Sequence, residues 1–409
     1  MKLSIIICVY NTDPVYLREA LQSIAASTLR NYEICLVDDG STLDYTELAA
    51  EFGARLLKTP NGGILRARLN GIEMAEGDYI TFFDSDDTIS LHYHQPMMEV
   101  AEREGAEIVI NGWAFHSAGC RYYCYRDSTM ASQLYAEGDD VLRVFAAQEG
   151  LEHSYYVTWN KIYSAHLLKG ARQEILNSAI GDKNICYAED ALLNFYAFRD
   201  AKKLRSIHTG YYFYRMHANQ SVNVISEARL RSQILAMGEV LGLMQAGIGD
   251  NVHREEINAG IEAWRAMIAR SHYSHAAAGG YRALYPLLQS TYGVKKLRRS
   301  TYHDGAAYAL VKLLPCNIVE IDAALSPLFD MQGRVEVSYS KRDEYVERIL
   351  NVLRAKGLEV EQNVNAAIRI PKGKNAIRDI VLRNRVVWSV GTALFPKGSR
   401  IRAFLKRMF

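Results

Sequence analysis

Long apolar runs are missing from this sequence. No window approaches the roughly 18 uninterrupted apolar residues of a membrane-crossing helix, so no transmembrane segment is expected. Cysteine is scarce. Cys8, Cys35, Cys120, Cys124, Cys186 and Cys316 include no Cys-x-x-Cys pair and no zinc-type doublet. Cys8 and Cys35 fall inside expected core strands, where a reduced thiol acts as a small apolar group, which points to a reducing compartment. The first ten residues carry one Lys and a short apolar run without a small-residue cleavage site, so no secretory signal is expected and the chain reads as cytoplasmic. Internal repeats and low-complexity segments are absent. A large charge of one sign is absent too: the formal net charge is +2, which gives no global case for nucleic-acid binding.

At 409 residues, two or three domains are expected rather than one core. Leu3–Tyr10 is a β-branched run that reads as a strand buried on both faces. Asn11-Thr-Asp-Pro14 breaks it and starts a helix, with Pro14 near the first helical position. Tyr32–Val37, Ala54–Lys58 and Asp78–Phe83 are further strands, separated by helical patterns at 45–52 and 65–74. Alternating strands and helices at this spacing predict a doubly wound α/β sheet, whose ligands bind at the carboxyl ends of the strands. Polar residues collect there: Tyr10 and Asn11, Asp38 and Asp39, Asn61, and Asp84 to Asp87. Glu107–Ile110 and Ile207–Tyr214 read as later strands. From about Glu227 to Leu313 the pattern is helical, and 334–370 fits strand–helix–strand.

The stretch Ile80-Thr-Phe-Phe-Asp-Ser-Asp-Asp87 carries the most chemistry. A buried strand runs straight into three carboxylates within four positions. Crowded carboxylates repel one another and resist desolvation, so the cluster predicts a nearby hard cation, which often bridges protein carboxylates to phosphates. The bland alternative is an acidic surface turn. His92 and His94 have no evident third ligand and read as structural.

Several motifs follow one another in order: Ser4–Asn11, Val37-Asp-Asp-Gly-Ser41, Asn61-Gly-Gly with Ala67-Arg68 and Gly71, Ala75-Glu-Gly-Asp-Tyr-Ile80, Asp84-Ser-Asp-Asp87 and Glu189-Asp190. Together they make residues 1–221 resemble the family 2 glycosyltransferases of the GT-A fold; Leu69 departs from the Asn usual after the Arg. The resemblance implies an inverting, metal-dependent transfer of a sugar from a nucleotide-diphosphate donor, UDP-linked, to a glycan or lipid-linked acceptor in surface-polysaccharide synthesis. It implies that Asp86, with Asp84, holds Mg²⁺ or Mn²⁺ and that Asp84 contacts the donor ribose. Asp38 or Asp39 would accept a hydrogen bond from the base. Tyr10, Asn11, Asn61 and Ser85 would line the donor site. Asp190 would be the base that deprotonates the acceptor, with Glu189 in support. Arg215, His217 and Ser221 resemble a loop that closes over the diphosphate. Arg68 could reach it as well. Trp159 and Lys161 could line the acceptor site, with a core position the alternative for Trp159.

The expected division is a GT-A domain over 1–226 (nucleotide-sugar half 1–110, acceptor half 111–226), a helical region over 227–330, and a small α/β segment with basic amphipathic helices over 331–409. Residues 371–409 hold ten Lys/Arg and one Asp, a local +9 that leaves −7 on the remainder. Such a tail predicts either a solvated pair of helices or contact with anionic lipid at the inner face of the membrane. No nucleic-acid motif accompanies it. The sequence leaves homo-oligomerisation open. Two other functions fit less well. Nucleotidyl transfer needs a Gly-rich basic loop after the first strand, which Tyr10–Asp13 does not supply. A scaffold recruiting partners to a membrane has no need of intact Asp84, Asp86 and Asp190.

Overall fold

The first strand is buried on both faces, and its side chains sort by parity. β1 (Leu3–Val9) sends Leu3, Ile5, Ile7 and Val9 into one hydrophobic cluster and Ile6 into another. A period of two on a strand covered on both sides requires this split. The computed structural model describes residues 1–117, 122–125, 134–146, 153–216, 226–293, 309–313 and 360–364. After β1 the order is α1 (Pro14–Ala26), β2 (Tyr32–Asp39), α2 (Thr46–Glu51), β3 (Arg55–Thr59), α3 (Ile64–Met74), β4 (Tyr79–Asp84), β5 (Thr88–Ile89), α4 (His94–Glu104), β6 (Ile108–Ser117), β7 (Tyr122–Tyr125), β8 (Tyr135–Glu137), α5 (Asp140–Ala146), α6 (His153–Tyr156), β9 (Lys161–Ser164), α7 (Ala165–Asn177), α8 (Glu189–Asp200) and β10 (Lys203–Met216). Then come α9 (Glu227–Gly247), α10 (Arg254–Gly279), α11 (Tyr285–Tyr292), β11 (Ala309–Leu313) and β12 (Val360–Val364).

The sheet runs β12-β11-β7-β6-β9-β4-β1-β2-β3, and β10 pairs with β6, β5 and β8. Strands β3, β2, β1 and β4 are parallel; β9 enters antiparallel between β4 and β6. This is the α/β sheet expected. Asp13 caps α1 by accepting from the Val15 N–H at 2.9 Å, with Pro14 opening the helix. Helix α3 lies so close on the sheet that a Cβ at Gly71 would come 2.3 Å from Ile6 Cγ2.

Cys8 and Cys35 are packing groups in β1 and β2: burial pushes both thiols up to about 12, so they stay protonated. Cys8, Cys35 and Cys186 are free thiols. His94 is buried and burial holds it down to about 3, so it is neutral. At the foot of β2, Glu33 accepts from Ser4 Oγ at 2.6 Å and the Glu76 N–H at 2.8 Å and pairs with Lys2 at 3.1 Å and Arg55 at 3.0 Å. Burial alone would raise its pKa; these four partners outweigh burial and bring it down to about 2. A folded pKa below the ordinary value stabilises fully above pH 4.5, and that contribution is lost as pH falls toward 2. Glu33→Gln is therefore expected to lower stability by about 1–2 kcal/mol at pH 7. Urea unfolding should show the gap narrowing at pH 3; an equal gap at both pH values would contradict this account.

Beyond β10, α9, α10 and α11 confirm the helical reading up to Tyr292. The expectation of helix through Leu313 fails at its end. Ala309–Leu313 is strand β11, paired antiparallel with β7 and β12, because pairing with a strand on each side overrides a weak local pattern. The expected strand Leu358–Glu361 overlaps β12 (Val360–Val364). The expected strand Val335–Ser338, helix Asp343–Ala355 and basic segment 371–409 lie outside the described residues. Helices α9 to α11 are not a separate core. Leu230, Ile234, Met237, Trp264 and Tyr292 belong to the cluster that holds Leu192, Leu193 and Phe195 of α8. Among the described residues, no helix is long and apolar enough to cross a membrane.

Candidate active site

The carboxyl ends of β1, β2 and β4 meet at one edge of the sheet, and the loops that follow are tied to one another. Asn11, in the left-handed region at φ 51°, accepts from the Thr42 N–H at 2.9 Å and Thr42 Oγ1 at 2.8 Å. Its own N–H donates to Ser41 Oγ at 2.9 Å. Tyr10 beside it stands 59% exposed. At the end of β2, Asp38 accepts from the Ser41 N–H at 2.9 Å. Asp39 accepts from Gly62 N–H at 2.8 Å and Gly63 N–H at 2.9 Å. Both carboxylates are buried and shape loops, with Asp39 fixing the entry to α3. Gly63 has φ +83°, and a Cβ there would meet Asn184 Oδ1 at 2.2 Å, so only glycine fits. Asn61 remains exposed at this rim.

Strand β4 ends in a turn closed by the Asp87 N–H donating to the Asp84 carbonyl at 3.1 Å. The Asp84 N–H donates to the Tyr212 hydroxyl at 2.9 Å, and Ser85 Oγ lies 2.8 Å from Thr12 Oγ1. Asp87 points inward. It is fully buried and accepts from the Arg215 N–H at 2.6 Å. Burial, then Asp86 and Asp84, pushes its pKa well above the carboxylate range. Asp84 is pushed up to about 6 by burial, with Asp86 and Glu189 adding to the rise and Arg68 opposing it.

The first turn of α8 comes to the same place. Arg68 of α3 is buried, and its guanidinium reaches Glu189 Oε1 at 3.0 Å, bonds Asp190 Oδ1, and lies 3.7 Å from Asp84 Oδ1. It also sits over the Phe82 ring, 5.6 Å from the centroid. Thr158 Oγ1 donates to Asp190 Oδ1 at 3.3 Å, and Asn194 Nδ2 donates to the Asp190 carbonyl at 2.9 Å. Three acids from two distant segments thus share one buried cation.

This arrangement agrees with the comparisons to known proteins. Residues 4–161 match the Glycosyl transferase family 2 model. The chain is 31% identical over 231 residues to the uncharacterized glycosyltransferase EpsJ of Bacillus subtilis (strain 168), covering 54% of this chain and 63% of that protein. It is 29% identical over 250 residues to the glycosyltransferase GlyA of Streptococcus pneumoniae serotype 4, covering 59% of this chain and 34% of that protein. The chain therefore spans less than two thirds of these relatives. A crystal structure of S. aureus TarS superposes with TM-score 0.52 at 16% identity, covering 89% of this chain and 97% of that one. Another, in complex with UDP-GlcNAc, has TM-score 0.50 at 18% identity, covering 72% and 88%. The fold is of the GT-A type.

Within the matched segment and its continuation, the expected site residues divide. Tyr10, Asn11, Asp38, Asp39, Asn61, Arg68, Asp84, Ser85 and Asp86 meet at the strand ends, and Glu189 and Asp190 join them. Arg215 sits elsewhere. It is buried beneath the turn, with Nε donating to the Asp86 carbonyl at 2.5 Å, Nη2 to Glu19 at 2.5 Å, and its guanidinium 4.6 Å from the Tyr16 ring. It braces the turn from below. Trp159, expected at the acceptor site, is a core residue stacked on Tyr212 at 4.5 Å and edge-on to Trp113 at 5.5 Å. Lys161 is fully buried, with Nζ donating to the Val157 carbonyl at 2.5 Å and Asn160 Oδ1 at 2.7 Å. The setting of β9 between two core strands buries Lys161, and the turn before it packs Trp159 against β10 and β6. His217 and Ser221 lie outside the described residues. Tyr212, Thr158 and Asn194 carried no sequence signal, since each reaches the site only through the sheet or α8.

Proposed function

We propose that this chain is an inverting glycosyltransferase that moves a sugar from a UDP-linked donor to a hydroxyl of a glycan or lipid-linked acceptor, in the making of a bacterial surface polysaccharide. The observation that carries this reading is the shared guanidinium of Arg68. It places the carboxylate suited to act as base, Asp190, within one side chain's reach of Asp84 at the donor turn. Asp190 takes the proton of the acceptor hydroxyl as that oxygen attacks the anomeric carbon. The bond from that carbon to the diphosphate breaks, and the nucleoside diphosphate leaves. Arg68 and Thr158 orient the Asp190 carboxylate, and Asn194 anchors its backbone.

The donor turn suits a hard divalent cation, Mg²⁺ or Mn²⁺. Asp84 and Asp86 supply two oxygen donors; burial, with Asp86 and Glu189 adding to it and Arg68 opposing it, pushes the Asp84 carboxyl up to about 6. Among the described residues no three such side chains converge on one metal position, so the diphosphate and water would complete the set. When bound, the ion would supply positive charge against the leaving diphosphate. Tyr10, with its open ring, suits the base of the donor, and Asp38 and Asp39 shape the loops around it. The reading extends to a helical region after residue 226 that shares its core with α8, and to lipid contact by the basic segment 371–409.

A screen of nucleotide sugars with Mg²⁺ or Mn²⁺, with and without glycan and lipid-linked acceptors, tests the proposal. A UDP-sugar should raise the thermal midpoint and release nucleotide faster when an acceptor is present. If no nucleotide sugar stabilises the protein or turns over, the reading is wrong.

A further inference from the structure

The acid pair Glu189-Asp190 is presented by a strained turn. Ala188, immediately before α8, has φ 62° and ψ 13°, in the left-handed region. For a residue with a Cβ this conformation is disfavoured, because the Cβ crowds the following carbonyl oxygen. Such strain persists only where the surroundings dictate it. Among the described residues no side chain caps α8; its first turn is closed by the Leu192 N–H donating to the Ala188 carbonyl at 3.1 Å. Tyr187 stands immediately before Ala188. Its ring packs against His272 of α10 at 5.1 Å between centroids, and His272 Nδ1 is hydrogen-bonded to the Tyr292 hydroxyl of α11 at 2.7 Å. His272 is 2% exposed, and among the described residues its Nε2 has no hydrogen-bond partner. Two residues upstream, Ile185 is buried in the core shared with α9 to α11.

The residues that seat this turn lie outside the family 2 match at 4–161. We propose that helices α10 and α11 position the acid pair: Tyr187, seated on the His272–Tyr292 pair, fixes the turn at Ala188 and with it the direction in which α8 presents Asp190 toward Arg68 and Asp84. Tyr187, His272 and Tyr292 are positioning residues, since none touches the reacting groups. The inference rests on the reading of Asp190 as base.

The test compares the full chain with Tyr187→Ala, Tyr187→Phe and His272→Ala by transfer kinetics, UDP titration and hydrogen exchange of the 185–193 amides. Tyr187→Ala should lower kcat about tenfold to a hundredfold, because small misplacement of a catalytic group is costly. KM for the donor and UDP affinity should stay at wild-type values. Exchange at 185–193 should rise, and Tyr187→Phe, which keeps the ring, should recover most of the loss. His272→Ala alters the seat without touching the turn and should give the same split, which keeps the test open if Tyr187→Ala does not fold. Wild-type kcat and exchange in His272→Ala would overturn the proposal, as would loss of UDP affinity in parallel with kcat. If the wild type itself transfers no sugar, the functional reading fails, and exchange still decides whether α10 and α11 hold the turn.

Discussion

Asp190→Asn is expected to lower the rate of sugar transfer about 10²–10⁴-fold, the range a positioned general base contributes, while donor binding stays intact. The amide keeps the size of the carboxylate, and its oxygen can still accept from Arg68 and Thr158, which bond Asp190 Oδ1 in the native protein. It has no basic site to take the acceptor proton. Single-turnover transfer measured beside UDP titration separates the two effects. Wild-type transfer by the variant would remove Asp190 from the mechanism. A matching loss of UDP affinity would instead assign it to donor binding.

The second large effect concerns Arg68. Arg68→Met keeps much of the side-chain volume over Phe82 but removes the cation that Asp84, Glu189 and Asp190 share. Removing one partner of a buried ionic cluster typically costs about 3–5 kcal/mol, because the charges left behind are uncompensated. These acids keep partial access to solvent, so the lower end of that range is expected for unfolding in urea. Transfer should fall along with stability, since the guanidinium sets the orientation of Asp190. Arg68→Lys should rescue only part of either loss, because an ammonium cannot fork between Asp190 and Asp84 as a planar guanidinium does. Adding Asp190→Asn to Arg68→Met should cost less than the sum of the single changes, since one interaction is being removed twice. Strict additivity would mean that the two residues act independently.

The two halves of the site differ in how openly the sequence displays them. Each strand of the parallel half, β1 to β4, carries its own signals: β-branched runs, then Asn11, Asp38-Asp39 or Asp84–Asp87 at the carboxyl end. Such signals are local, and so the strands and the polar residues after them are readable from spacing alone. Trp159 and Lys161 show the opposite case. Both were candidates for the acceptor site, but β9 enters the sheet antiparallel between β4 and β6 and buries Lys161, while Trp159 in the turn before it packs on Tyr212 and Trp113. Nothing local announces that insertion. Arg215 is similar: a basic residue at the end of a strand suits a phosphate, but Glu19 and the Asp86 carbonyl, far away in sequence, take its donors.

Asp87 marks the boundary. Its place in the acidic cluster was evident, but its function depends on partners more than a hundred residues away. Arg215 donates its backbone N–H to the Asp87 carboxylate, and Tyr212 takes up the Asp84 N–H. The sequence by itself determined the parallel strands β1 to β4, the order of motifs similar to family 2 transferases, and the acids crowded at the end of β4. Those follow from strand periodicity and from like charges crowded within a few positions. The tertiary structure decided which acids share a cation, that Asp87 and Arg215 face inward, and that α10 and α11 seat the turn before Asp190. These outcomes depend on which distant groups burial brings within a few ångströms, and the energy of a charge or a strained backbone is set by those neighbours.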